Sequence, residues 1–161
     1  MAAALGSMVA SMSRGKKAYL QHEQELSAAL ARLAQLREEL KAGIDADAES
    51  YNQVMAAYKH AKASSDGAAE AVVENALKQA TSVPLNTAQK AREVADIVAS
   101  LKPITNPNMA SDLFTAVALA KAALTGALSN VDINLGSMKP GFPEDDAFIS
   151  STRARAATLK T

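Results

Sequence analysis

The stretch LSAALARLAQLREELKAGIDADAESYNQVMAAYK, residues 26–59, decides the fold class of this chain. Its large aliphatic side chains are separated by three, four or seven positions, and Glu, Arg and Gln stand between them. These side chains are Leu26, Leu30, Leu33, Leu40 and Ile44. Such spacing places them on one face of an α-helix and predicts a long amphipathic helix.

The remaining segments also have helical patterns. The opening MAAALGSMVASMS is apolar around much of its circumference, which predicts a helix buried in a bundle or in a dimer interface. A second stripe follows a capping signal at residues 64–66, and a third helix is predicted to open near Pro84, because proline is tolerated in a first helical turn. The second stripe consists of Val72, Ala76, Leu77 and Ala80.

Two more helices are predicted towards the end of the chain. Ser111 in NPNMASDL is a candidate cap, and Asp112 would oppose the positive end of the helix dipole. A last short helix is expected after PGFPEDD, and no alternating β-branched run has the length of a strand. The prediction is an all-α bundle of five to six helices forming one domain over residues 1–161. Because alanine-rich helices leave apolar faces uncovered, a homodimer or larger homo-oligomer is also predicted.

Composition excludes several classes of function. The 161 residues include 17 basic and 17 acidic side chains, so no net positive charge supports nucleic-acid binding. The absence of cysteine excludes disulfides and cysteine nucleophiles, and two distant histidines do not predict a metal site. No segment reads as long and apolar enough to span a bilayer, and no basic residue precedes the first apolar run as in a signal peptide. A soluble cytoplasmic protein is therefore expected.

Four polar clusters interrupt the apolar patterns. SRGKK, residues 13–17, fits either a helix C-cap in which Gly15 takes positive φ or a site for an anion. SDL, residues 111–113, is explained by capping alone. In SNVDINL, residues 129–135, Asn130 and Asn134 share a face if the helix continues, although they also fit a helix end.

The fourth cluster is acidic. Asp45 and Asp47 stand within the long helix, although aspartate is a poor helix former. Each residue of an α-helix turns the chain by about 100°, so these two carboxylates point about 200° apart. They cannot form one paired carboxylate site, and spacing alone assigns neither a catalytic role.

Five sequence blocks resemble the cyclodeaminase domain family in their order and spacing. That family includes the cyclodeaminase half of formimidoyltransferase-cyclodeaminase and stand-alone bacterial relatives, among them a methenyltetrahydrofolate cyclohydrolase. Each block alone is moderately specific, and the five together cover the chain from its first residues to about Leu135. The blocks are AALGSMVASMSRGKKAY, IDADAESYNQVMAAYK, ATSVPLNTAQKA, NPNMASDL and GALSNVDINL.

The resemblance implies an all-helical folate enzyme that works as a dimer or larger oligomer. Its implied reaction converts 5-formimidoyltetrahydrofolate to 5,10-methenyltetrahydrofolate and ammonia, with tetrahydrofolate as the carrier and no further cofactor. A formimidoyltransferase is an implied partner. The second acid of DADAE, Asp47, is the implied catalytic carboxylate. The implied substrate-binding residues are Lys16, Lys17, Asp112, Asn130 and Asn134.

The family pattern also leaves alternatives open. Its members usually begin with a PGGGS-type loop before the first apolar helix, whereas this chain starts at Met1 within that helix. A glycine-rich turn at a helix start suits close substrate approach, so its absence implies a shortened chain or a catalytically silent module that binds folate or a partner subunit. Cyclohydrolase activity, in which water attacks the methenyl carbon, is a further alternative, and a helical interaction bundle unrelated to folate is another.

Overall fold

The computed structural model describes residues 1–63, 68–139 and 143–160. Within these ranges the chain forms five α-helices and no β-strand, which confirms the all-α prediction. Short 3₁₀ helices connect some of them, at Lys17–His22, Lys102–Ile104 and Pro107–Met109. The α-helices are α1 (Ala2–Ser13), α2 (Glu23–Ala63), α3 (Ala68–Ser100), α4 (Ala110–Ser137) and α5 (Pro143–Lys160).

Two helix starts differ from the sequence prediction. Pro84 does not open a helix but lies in the interior of α3, which runs without a break from Ala68 to Ser100. The last helix includes the PEDD residues instead of following them, because Pro143 fits the first helical position and the acidic residues of the first turn suit the positive end of the dipole. The capping signal predicted at residues 64–66 lies outside the described residues.

The chain divides into two compact units, and α2, α3 and α4 each contribute one part to both. The first unit comprises Met1–Lys41 and Gln89–Leu124, and the second comprises Ala42–Ala88 and Thr125–Thr161. Each unit has its own buried side chains, which are described separately below.

The first unit buries the leucine stripe that the sequence predicts at the start of α2. Leu26 and Leu33 are fully buried, and Leu30 and Leu40 are half-buried. Leu36, which the stripe omits, is also fully buried, so the buried face of α2 is wider than the prediction. The core of this unit is completed by residues of α1, α3 and α4 and by Leu101, which directly follows α3. The chief helical residues are Val9, Ala10, Val94, Val98, Leu113, Ala116 and Ala120.

The first helix is buried on one face only. Its small residues, Gly6 among them, face the core, whereas Met8 and Met12 are exposed. A Cβ atom on Gly6 would lie 2.6 Å from Val98 Cγ2 and 3.2 Å from Leu33 Cδ1, so glycine is needed for this close approach. The prediction of a buried helix is therefore confirmed for one face of α1, and burial of the other face in a dimer interface stays a prediction.

The second unit has a core made mainly of alanines and leucines, with two valines and a methionine. The predicted stripe on α3 is buried at Ala76, Leu77 and Ala80, but Val72 is exposed and Val73 takes its place. Val72 and Val73 are adjacent and lie about 100° apart around the helix, and it is Val73 that stands three, four and seven positions before Ala76, Leu77 and Ala80. The other buried apolar residues of this unit include Ala57, Ala69, Leu85, Ala88, Ala127, Leu128, Val131, Leu135, Met138 and Ala156.

The second half of α2 turns its small side chains inward and its large ones outward. Ser50 and Ala57 are buried and Val54 is half-buried, whereas Ile44 is 69% exposed. The stripe predicted from the sequence ends at Ile44, and the prediction that this residue faces the core is therefore wrong within this chain. We call the exposed stripe of Ile44, Tyr51, Met55 and Tyr58 the α2 apolar face.

Candidate active site

The six residues implied as site residues are divided between the two units. Lys16, Lys17 and Asp112 belong to the first unit, and Asp47, Asn130 and Asn134 belong to the second. Each group is described within its own unit.

The SRGKK turn is built around Gly15, as the capping interpretation predicts. Gly15 has a φ of 71°, a left-handed conformation that glycine adopts without steric cost. Its N–H donates to Glu23 Oε2 at 2.9 Å, and Arg14 Nε donates to Glu23 Oε1 at 2.7 Å. The hydrogen bond from Arg14, followed by that from Gly15, lowers the pKa of the Glu23 carboxyl. Glu23 therefore holds the turn as a carboxylate.

Ser13 connects the same turn by a hydrogen bond to Asn106, which is distant in the sequence. Its hydroxyl donates to the Val9 carbonyl at 3.0 Å and accepts the N–H of Asn106 at 3.1 Å. Lys16 and Lys17 are exposed, and within the described residues neither forms a hydrogen bond or an ion pair through its ammonium group. The cap thus uses Ser13, Gly15 and Glu23, and both lysines remain available for an anionic ligand.

Asp112 lies half-buried in the first turn of α4, where its charge opposes the helix dipole as predicted. Ser111 does not cap this helix, and that prediction is wrong. The chain enters α4 directly from the 3₁₀ turn Pro107–Met109, so Ser111 is already helical. The cap is provided earlier by Asn106, whose side chain accepts the N–H of Asn108 at 3.0 Å.

An exposed aromatic ring lies close in sequence to Asp112. Phe114 is largely exposed, and Lys102 Nζ lies 5.0 Å from the centroid of its ring. This distance is within the range of a cation–π interaction. The sequence analysis did not single out Phe114, since an aromatic residue in an apolar helix is usually buried.

Asp47 is exposed on α2, and its side chain forms no hydrogen bond or ion pair among the described residues. Only its backbone carbonyl is used, as acceptor for the Ser50 hydroxyl at 2.8 Å. At helical spacing Asp47 follows Ile44 by three positions and precedes Tyr51 by four, so it lies along the α2 apolar face. A carboxylate without a structural partner beside apolar side chains is available for a ligand.

Asn134 has a structural partner that the sequence analysis missed. The helix does continue through Asn130 and Asn134, and Asn130 is exposed. Asn134 is half-buried, and its Nδ2 donates to the Ala80 carbonyl at 2.9 Å. Pro84 lies four residues after Ala80 and has no N–H to give that carbonyl its helical hydrogen bond. The Asn134 amide therefore replaces the hydrogen bond that Pro84 removes.

The described part of the chain contains no group of three His, Asp or Glu side chains that could hold a metal ion. The exposed carboxylate of Asp47, the exposed ammonium groups of Lys16 and Lys17, and the amides of α4 are groups suited to hydrogen bonding and proton transfer.

The family model described as formiminotransferase-cyclodeaminase matches residues 1–158. The chain belongs to this family. A crystal structure of formiminotetrahydrofolate cyclodeaminase from Thermotoga maritima has the same fold, with a TM-score of 0.88 and 30% identity. That alignment covers 99% of this chain and 74% of the solved one.

Two curated members of the family carry different enzyme names. Methenyltetrahydrofolate cyclohydrolase of Methylorubrum extorquens is 38% identical over 83% of this chain and 65% of its own length. Formimidoyltransferase-cyclodeaminase of Gallus gallus is 34% identical over 84% of this chain and 25% of its own length. This chain thus spans less than two thirds of either relative, and both names describe folate-processing enzymes.

One stretch is long and apolar enough to span a membrane, although no such segment was predicted from the sequence. Residues Pro107–Ser137 meet this condition by length and composition, and a third of their apolar 18-residue segment is buried. The core helix of a soluble protein can meet the same condition. Here α4 buries Leu113 and Ala116 in the first unit and Leu128 and Val131 in the second, as a core helix does.

Proposed function

We propose that this chain is a folate one-carbon enzyme, a 5-formimidoyltetrahydrofolate cyclodeaminase that forms 5,10-methenyltetrahydrofolate and releases ammonia. The observation that carries the proposal is the match to the solved cyclodeaminase over 99% of the chain. The exposed carboxylate of Asp47, which has no structural partner among the described residues, supports it chemically.

In the proposed reaction the substrate reacts as the protonated amidine at N5. The lone pair of N10 adds to the formimidoyl carbon and gives a tetrahedral carbon bonded to three nitrogens. The Asp47 carboxylate takes the N10 proton and returns it to the amino group, which leaves as ammonia when the carbon–nitrogen bond breaks. The positive charge stays on the product as the methenyl cation, so a carboxylate near this carbon stabilises the centre throughout.

The other implied residues fit the ends of a folate. Lys16 and Lys17 each carry an exposed ammonium group, which suits the glutamate tail, and Asn130 and Asn134 offer amides to the pterin edge. Asp112, half-buried, is a further acceptor. These roles are part of the proposal, as is a separate formimidoyltransferase that supplies the substrate. A soluble, cytoplasmic location is proposed with them.

Methenyltetrahydrofolate cyclohydrolase is the second candidate, because the Methylorubrum extorquens relative of that name is 38% identical. Purified protein should be given 5-formimidoyltetrahydrofolate and, separately, 5,10-methenyltetrahydrofolate. A cyclodeaminase produces methenyl absorbance together with an equal amount of ammonia from the first substrate. A cyclohydrolase speeds the loss of methenyl absorbance from the second. Failure to turn over either substrate, with folate binding retained, would favour the catalytically silent module.

We also propose that the chain forms a homodimer in which a second copy covers the Met55 and Tyr58 end of the α2 apolar face and leaves Asp47 open to folate. Exposed aromatic and aliphatic side chains along one helix face are typical of an interface. Met55→Lys should shift the sedimenting species from dimer to monomer, because a charge in a dimer interface loses its solvation. Gln53→Lys, on another side of the same helix turn, is the matched control and should leave the dimer intact. Sedimentation of the unmodified chain as a monomer at micromolar concentration would refute the dimer.

A further inference from the structure

The second unit contains a pocket that none of the implied site residues lines. Its volume is about 410 Å³, within the range of small-molecule sites. One wall is a face of α3, with residues spaced three, four and seven positions apart, and the other is the first turn of α5. The lining residues are Ala71, Glu74, Asn75, Lys78, Pro143, Glu144 and Asp145.

Glu74 is the unusual residue of this pocket. It is 6% exposed, and its Oε1 accepts the backbone N–H of Lys139 at 3.1 Å. Its Oε2 is buried and has no hydrogen-bond partner among the described residues. A buried carboxylate oxygen without a donor is unfavourable, so the described part of this site lacks a group that donates to Glu74.

The charges around Glu74 favour a cationic ligand. The lining includes three carboxylates, of Glu74, Glu144 and Asp145, and the single ammonium group of Lys78. That ammonium forms an ion pair with Asp145, which is itself buried. The Lys78 ammonium is therefore occupied by this ion pair, and the lining residues together keep a net negative charge. The nearby Lys139 ammonium, which also attracts Glu74, is paired with Glu70.

The missing group must also donate a hydrogen bond. A metal ion is disfavoured, because the three carboxylates of the lining do not form a group that could hold one, and the described ranges contain no other such group. A nitrogen cation with N–H groups meets both needs, since it offers charge and a donor to Glu74 Oε2. Asn75, one residue further along α3, supplies an additional amide acceptor at the exposed side of the pocket.

We propose that this pocket binds a small organic cation carrying N–H donors, such as an alkylammonium or guanidinium group, through Glu74. The site is separate from the folate reaction, and the proposal does not depend on it. The carbon skeleton of the ligand would lie against Ala71 and Pro143, the apolar residues of the lining. Exposed Glu144 would attract the cation at the entrance.

The test uses n-butylammonium as the probe. Tetramethylammonium is the control for a cation without N–H donors, and n-butanol is the control for the same alkyl chain without a charge. At roughly ten times its Kd, n-butylammonium should raise the melting temperature by about 3 to 6 °C, and neither control should do so. The backbone amide resonance of Lys139, whose N–H donates to Glu74, should shift in the same titration.

Glu74→Gln should fold, because glutamine keeps the size of the side chain and an oxygen that can accept the Lys139 N–H, and it should lose the response to n-butylammonium. Glu70→Gln, an exposed acid on the same helix that pairs with Lys139 Nζ, is the control and should keep it. If Glu74→Gln does not fold, the melting temperatures of the unmodified protein with n-butylammonium, tetramethylammonium and n-butanol still test the proposal. Equal effects of n-butylammonium and tetramethylammonium, or no shift at Lys139, would overturn the proposal.

Discussion

Asp47→Asn is expected to lower the turnover of the proposed cyclodeaminase by about 100-fold or more, the usual effect of losing a proton-transfer group. Asparagine preserves the size of the side chain but cannot accept the N10 proton. Because Asp47 is exposed and its side chain has no partner among the described residues, the substitution should leave helicity and stability nearly unchanged. The measurements are methenyl absorbance and ammonia release, with circular dichroism in parallel.

Asp45→Asn is the matched control, since Asp45 is also exposed and lies only two residues away on the same helix. Its carboxylate points about 200° from that of Asp47, so it cannot reach the same reacting atoms. Its loss should change turnover little. If Asp45→Asn loses activity and Asp47→Asn keeps it, the catalytic carboxylate is Asp45 and the assignment to Asp47 is wrong. Normal activity in both variants would refute a carboxylate-dependent mechanism on α2.

Features that depend on local chain chemistry were predictable from the sequence. The leucine stripe from Leu26 to Leu33 is buried because large side chains at helical spacing must find a core. The SRGKK turn follows from Gly15, which takes the left-handed conformation that ends a helix. Asp112 stands at a helix start for the same electrostatic reason that aspartate generally does.

Features that depend on distant partners were not predictable from the sequence. A rule based on side-chain size puts Tyr51 and Met55 inside, but this part of α2 buries Ser50 and Ala57 instead. Small side chains let helices approach closely, and only the tertiary arrangement shows which stripe does so. Asn106 likewise caps the turn before α4, although Ser111 has an equally suitable side chain.

In the candidate site, too, contacts with residues distant in the sequence were not predictable. The family pattern draws attention to Asn134, but it does not separate a residue that binds substrate from one that holds the fold. The hydrogen bond from Asn134 Nδ2 to the Ala80 carbonyl is explained by Pro84, which is part of another block of the same pattern. The two blocks are linked physically, since the proline creates a carbonyl without a donor and the asparagine supplies one.

This link predicts a strong dependence of one substitution on the other. Asn134→Ala should lower the free energy of unfolding by about 1 to 2 kcal/mol, because the Ala80 carbonyl then lacks a donor. In a Pro84→Ala background the same change should cost much less, since alanine at this position would provide the helical N–H. The expected coupling is about 1 kcal/mol, measured by urea unfolding of the four proteins in the cycle. Asn130→Ala, an exposed control one turn earlier, should change stability by less than about 0.5 kcal/mol.

Turnover of the double variant then separates the two roles of Asn134. If its amide serves only the Ala80 carbonyl, the Pro84→Ala, Asn134→Ala protein should match the turnover of Pro84→Ala alone, because the helical hydrogen bond is restored. If Asn134 also binds the pterin, KM should stay raised although the free energy of unfolding recovers. Additive stability losses in the cycle would instead show that the hydrogen bond to Ala80 does not compensate for Pro84.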